Sequence, residues 1–146
     1  MVVIQNIIND ATIDEEKLKL TCHQFMQQFD VGESELVVRL VSPLEIQALN
    51  KEYRSKNQAT NVLSFSSGIP LEIGESILGD VVICVDVVRE EASLEGKAFS
   101  NHLSHMVIHG ILHLLGYDHD DLSSANKMEE IEIDFLKKIG LNNPYQ

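Results

Sequence analysis

Residues 109–119 read HGILHLLGYDH, with histidines at the first, fifth and eleventh positions. On a helix of 3.6 residues per turn, His109 and His113 stand one turn apart on one face, roughly 6 Å along the axis, so both imidazoles can reach one ion. A third ligand requires the helix to stop and the chain to fold back, and Gly116 is the residue able to take the positive φ this needs. His119 then arrives from the loop. Eleven residues thus specify a helix, its end and a turn, and the rest of the chain has to be arranged around that helix.

The pattern H-x-x-x-H-x-x-G-x-x-H is the ligand skeleton of the metzincin motif, in which three neutral imidazoles hold zinc and leave a fourth position open for water. The competing reading is a set of histidines that only hydrogen-bond in the core. Imidazole also suits nickel, copper and iron, so spacing alone leaves the metal open. In a zinc peptidase the second position of the motif is a glutamate base; here it is Gly110. Glycine in a helix interior costs about 1 kcal/mol relative to alanine, so something must come close to the backbone there, a packed element or a substrate. His102 and His105 lie within about 80° of the ligand stripe on the same helix and could reach a cleft, support a ligand or face solvent. Asp118, Asp120 and Asp121 could orient an imidazole, take a proton or form a solvated acidic turn.

Upstream of this helix the chain alternates strands and helices. VVIQNII (2–8) is β-branched and apolar and reads as a strand. Thr12 and Glu15 form a capping box for a helix whose apolar face is Leu18, Cys22, Phe25, Met26 and Phe29. ELVVRLV (35–41) alternates as a strand does, and Ser42-Pro43-Leu44-Glu45 starts a short helix that leads into the loop of Arg54. NVLSF (61–65) and GDVVICV (79–85) read as strands, separated by a loop around Gly68, Pro70 and Gly74. Helices follow: one from Asp86 that closes at Gly96, the histidine helix from about Ser100 to Leu115, and a last one from about Ser123 to Ile139, ended by Gly140. No repeat or linker interrupts residues 1–146, so the expectation is one α/β (α+β) domain with a small, mostly parallel mixed sheet packed with helices.

At 146 residues with 44% hydrophobic content, the chain can bury an ordinary core without disulfides. Cys22 and Cys84 form no CxxC pair and read as buried thiols of a reducing compartment. The N-terminus lacks a signal-peptide pattern and no segment approaches a membrane span, so a cytoplasmic protein with no membrane partner is expected. A net charge of −12 argues against holding nucleic acid by electrostatics alone. Residues 37–60 depart from it: Arg39, Lys51, Arg54 and Lys56 stand against Glu45 and Glu52, a local +2. Such a patch acts locally, because screening limits the reach of the surrounding acidity to about 8 Å.

Without a neighbouring carboxylate, a metal site is poorly equipped to protonate the amine leaving group of a peptide. Phosphodiester cleavage needs charge stabilisation on phosphoryl oxygens, which a metal and a guanidinium supply directly, and Arg54 is the arginine placed to do so. Taken alone, an arginine in a loop is more often a surface residue.

LNKEYRSKNQATNVLSF (49–65), LGDVVIC (78–84), HGILHLLGYDH (109–119), MEEIEIDFLKKIG (128–140) and the terminal PY (144–145) together resemble the YbeY-type bacterial endoribonucleases, the rRNA maturation factors. The resemblance implies a zincin-like fold, a divalent metal, Zn²⁺ or another such as Ni²⁺, on His109, His113 and His119, and a catalytic arginine at Arg54. It implies a single-strand-specific endoribonuclease of 16S rRNA 3′-end maturation and ribosome quality control. The implied partners are single-stranded precursor rRNA, the small ribosomal subunit, a ribosomal protein and an Era-type GTPase. Around the cleft, Gly110, His105, Asp118 and Ser64 are candidates for lining or support, with Gly110 leaving room for a bulky phosphodiester. Members of this family often have aspartate where Asn61 stands and proline where Ser66 stands, so no acid or base is assigned at Asn61. A non-enzymatic ribosome-assembly module with a structural metal and a metallopeptidase with a base from elsewhere are the alternatives.

Overall fold

The computed structural model describes residues 1–67 and 77–146, so the expected loop around Gly68, Pro70 and Gly74 lies outside the described residues. The elements are β1 (Val2–Asn6), α1 (Glu15–Gln28), β2 (Glu35–Val41), α2 (Pro43–Arg54), β3 (Val62–Ser66), β4 (Ile77–Cys84), α3 (Val85–Glu95), α4 (Phe99–Leu114) and α5 (Leu122–Lys138). The strands form one sheet in the order β1-β2-β4-β3. β1 pairs with β2 and β2 with β4 in parallel, while β3 runs antiparallel along β4 at the edge opposite β1. The mostly parallel mixed sheet expected from the alternation of elements is what forms.

Side chains of a strand alternate between its faces, and the two faces of this sheet meet different helices. Leu36, Val38, Leu40, Val81 and Ile83 belong to the larger core, with Phe25 and Met26 of α1, Val107, Ile108 and Ile111 of α4, and Phe135 and Leu136 of α5. Val82 and Cys84 of β4 belong instead to a smaller core with Ile46 of α2 and Leu63 of β3. Both cysteines are buried and free, and burial pushes the Cys22 thiol up to about 12.

Helix α4 lies between sheet and helices and is buried on nearly every side from His102 to Leu112. That explains why Gly110 is a glycine. A Cβ there would meet Val81 Cγ1 at 2.6 Å, Val81 Cγ2 at 3.1 Å and the Ser64 hydroxyl at 3.2 Å. Of the two occupants open from sequence, it is the sheet that takes the space, so the expected room for a phosphodiester beside Gly110 is a correction: that side of the helix is packed. Gly110→Ala is expected to destabilise the fold by about 1–3 kcal/mol, since β-branched Val81 cannot rotate away without backbone movement. A melting temperature equal to wild type would show that the helix and strand can separate at no cost.

Two local expectations change. The cap of α1 is Asp14, whose carboxylate accepts from Lys17 N at 3.1 Å. Thr12 is otherwise engaged, its N and Oγ1 both donating to Asp10 Oδ1 at 2.9 and 2.5 Å. Arg54 is the last residue of α2 rather than a loop residue, and Ser55 turns the chain with φ 58°. The Ser42 cap of α2 forms as read, with Glu45 N donating to Ser42 Oγ at 3.3 Å.

Candidate metal centre

Helix α4 ends in the hydrogen-bond pattern of a left-handed glycine stop. Gly116, at φ 96°, donates its N–H to His113 O at 3.1 Å, and Tyr117 N donates to Leu112 O at 3.0 Å. The reversed chain carries His119 back over the end of α4. Donor atoms of His109, His113 and His119 then all lie within 4.8 Å of one another. His109 Nε2 and His113 Nε2 face each other at 3.2 Å, close to the ~3.3 Å between two nitrogens on one tetrahedral zinc with Zn–N bonds of ~2.05 Å. The His109 and His119 rings are near parallel at 18°, while His113 meets both edge-on.

Burial, then the neighbouring His109 and His119 and the Arg54 guanidinium, hold His113 below the usual imidazole range, a shift toward the neutral form that binds a cation. His109 presents its other nitrogen, Nδ1, to Glu132 Oε1 at 2.5 Å, leaving Nε2 free to face His113. No fourth His, Cys, Asp or Glu joins the three among the described residues, so a bound ion would keep an open coordination position, as in catalytic rather than structural zinc sites. The donor set fits a divalent ion.

The three histidines line a cavity of about 380 Å³ together with Arg54, Asn61, Ser64 and Asp118. The C-terminal end of α2 brings Arg54 to it, and β3 forms its wall. Of the positive segment, Arg39 is taken by Glu45 at 3.5 Å, whereas Arg54 is exposed and has no ion pair among the described residues. Ser64 is not a free hydroxyl: its Oγ donates to Gly110 O at 2.8 Å and ties β3 to α4. Asp118 has no hydrogen bond or ion pair to an imidazole among the described residues, and its Oδ1 accepts from Asp120 N at 3.3 Å. Asp121 caps α5, accepting from Ser124 N at 2.8 Å. Asn61 donates to Glu91 at 3.3 Å, and Glu91 meets His102 Nε2 at 3.0 Å.

Sequence reading missed Glu132, fully buried on α5, and the tail residue Tyr145. Glu132 Oε2 is 3.2 Å from His105 Nε2 and also accepts from the Tyr145 hydroxyl. His105, a candidate for lining the cleft or supporting a ligand, is buried and joins His109 through their shared partner Glu132. Burial works to raise the Glu132 pKa, but hydrogen bonds from His105 and His109 outweigh it and hold the carboxyl at about 2, while burial and Glu132 push the Tyr145 phenol up. A signal was present: Met128, Glu132, Phe135 and Leu136 share the buried stripe of α5, so Glu132 is a charge at a core position.

An α/β fold with three imidazoles at the end of a central helix, and an arginine across the same cavity, defines a zincin-like protein with a candidate metal centre. More particularly, the chain belongs to the endoribonuclease YbeY family, whose sequence profile, described as Endoribonuclease YbeY, matches residues 3–140. It is 57% identical over 145 residues to a protein named Endoribonuclease YbeY from Ruthia magnifica subsp. Calyptogena magnifica, covering 99% of this chain and 100% of the relative. A protein of the same name from Pseudomonas syringae pv. syringae is 47% identical over 90% of this chain and 80% of its own. The solution structure of a Thermotoga maritima protein superposes with a TM-score of 0.61 at 29% identity, covering 95% of this chain and 91% of that one. Among the described residues, no helix is long and apolar enough to cross a membrane.

Proposed function

We propose that this chain, as a single domain over residues 1–146, is a cytoplasmic metal-dependent endoribonuclease that cleaves single-stranded precursor rRNA at the 16S 3′ end and in ribosome quality control. The observation that carries this reading is the shared cavity of His109, His113, His119 and Arg54, in a chain whose relatives are named endoribonucleases. A divalent ion held by the three imidazoles, zinc by its preference for this donor set or another such as nickel, supplies Lewis acidity toward phosphoryl oxygens. Arg54 reaches the same cavity without an ion-pair partner among the described residues and can grip two oxygens of the scissile phosphate, where its fork matches phosphate geometry. Gly110 leaves no glutamate beside the ligands, which favours a reaction driven by charge stabilisation over one that must protonate an amine. An unpaired strand can bend into a cavity between β3 and the end of α4, whereas an A-form duplex cannot present its backbone there.

An acidic chain grips RNA weakly, so delivery by protein partners on the small ribosomal subunit, a ribosomal protein and an Era-type GTPase, completes the reading. The test offers the purified protein an unstructured RNA and an unstructured peptide, with and without chelator. RNA is expected to be cut and chelator to stop it. Cleavage of the peptide alone would overturn the proposal in favour of a metallopeptidase, and cleavage of neither in favour of a non-enzymatic assembly module. A 2′,3′-cyclic phosphate on the product would assign attack to the ribose hydroxyl rather than to water.

A further inference from the structure

A carboxylate removed from water is costly unless every oxygen is well hydrogen-bonded. Glu132 has no exposure at all, and an apolar residue there would simply continue the stripe of Met128, Phe135 and Leu136. Three donors from two other parts of the chain converge on it instead: His109 Nδ1 at 2.5 Å, His105 Nε2 at 3.2 Å and the Tyr145 hydroxyl. A carboxylate in this place does what an apolar side chain could not. By accepting from Nδ1 it selects one tautomer of His109, the one whose Nε2 lone pair faces His113 Nε2.

The donor from Tyr145 is held there by a folded tail. Gly140, at φ 85°, ends α5, and Leu141 N donates to Leu136 O at 2.8 Å, which turns the chain back. Lys97 Nζ then donates to Pro144 O, and Tyr145 N to Asn143 Oδ1 at 2.8 Å. The Tyr145 ring lies edge-on to His105 with centroids 5.4 Å apart, and its hydroxyl is 3.3 Å from His105 Nε2. Terminal residues usually fray unless tied down. These are tied down on the far side of a metal-ligand candidate.

We propose that Glu132 is a positioning residue of the metal centre and that the C-terminal tail, through Tyr145, is a working part of that centre. The inference rests on His109 being a metal ligand. Glu132 orients His109 and sets its tautomer; Tyr145 and His105 supply the hydrogen bonds that keep the carboxylate buried and correctly rotated.

The experiment measures zinc affinity by competition with a chromophoric chelator for wild type, Glu132→Gln and Tyr145→Phe, with histidine ring ¹⁵N spectra and melting curves of the metal-free proteins. Glu132→Gln is expected to weaken zinc binding about 10- to 100-fold. Tyr145→Phe, which removes one hydroxyl, should weaken it about three- to tenfold. In both, the metal-free His109 spectrum should shift away from a single Nδ1–H tautomer. Wild-type zinc affinity in both variants, whatever their melting temperatures, would overturn the proposal and leave Glu132 as a folding residue. Should Glu132→Gln fail to fold, Tyr145→Phe decides alone, and unchanged affinity there overturns the role of the tail. A wild-type protein that takes up no zinc would instead bring down the metal-centre reading itself.

Discussion

His113→Ala is expected to abolish metal-dependent RNA cleavage while leaving the fold intact. His113 is only partly buried and sits at the end of α4, clear of the apolar residues that join that helix to the sheet, so its loss removes little packing. What it removes is one of three candidate ligands whose donor atoms already lie within 4.8 Å of one another, leaving two imidazoles where catalytic zinc sites use three protein ligands. Lewis-acid stabilisation is worth several kcal/mol of transition-state charge, so the rate should fall by at least about a thousandfold. The measurement is cleavage of an unstructured RNA beside metal content and circular dichroism. Equal activity in wild type and variant would mean that a contaminating nuclease or a metal-free mechanism does the cutting.

Arg54→Ala should separate binding of the ion from clamping of the phosphate. The side chain is exposed at the end of α2, so stability should stay within about 0.5 kcal/mol of wild type. Metal should remain bound, and kcat should fall by about 10²–10³, the loss seen when one fixed donor to developing charge is removed. Arg54→Lys should recover only part of this, because an ammonium keeps the charge but not the two-pronged fit to phosphate. Arg54 also helps hold His113 below the usual imidazole range, so the variant's His113 is easier to protonate. The comparison therefore belongs at about pH 8, where an imidazole is neutral with or without the guanidinium nearby. Unchanged kcat with metal bound would return Arg54 to the status of a surface residue.

Much of the centre was legible because it is local. His109 and His113 share a helical face through the helical period, and Gly116 and His119 follow within six residues; no distant contact is needed to place them together. The Ser42 cap with Pro43 was equally readable, and so was the alternation of β2. The cap of α1 was not, because Thr12 and Asp14 are both competent caps, and the choice fell to the bond between Thr12 and Asp10.

From sequence alone, then, come the three candidate ligands, the helix and turn that carry them, the order of strands and helices, and an arginine in the positive segment. What stands around them depends on how the elements pack. Arg54 lies 55 positions before His109 in the chain, and it meets the cavity because α2 and β3 return across the sheet. Gly110 belongs to Val81 rather than to substrate because α4 is pressed onto β4. Glu132 and Tyr145 reach His109 and His105 only when α5 packs on α4 and the tail folds back. The physical reason is the range of each interaction: helix period, capping and glycine turns act over a few residues, whereas packing and buried hydrogen bonds join residues with no sequence relation.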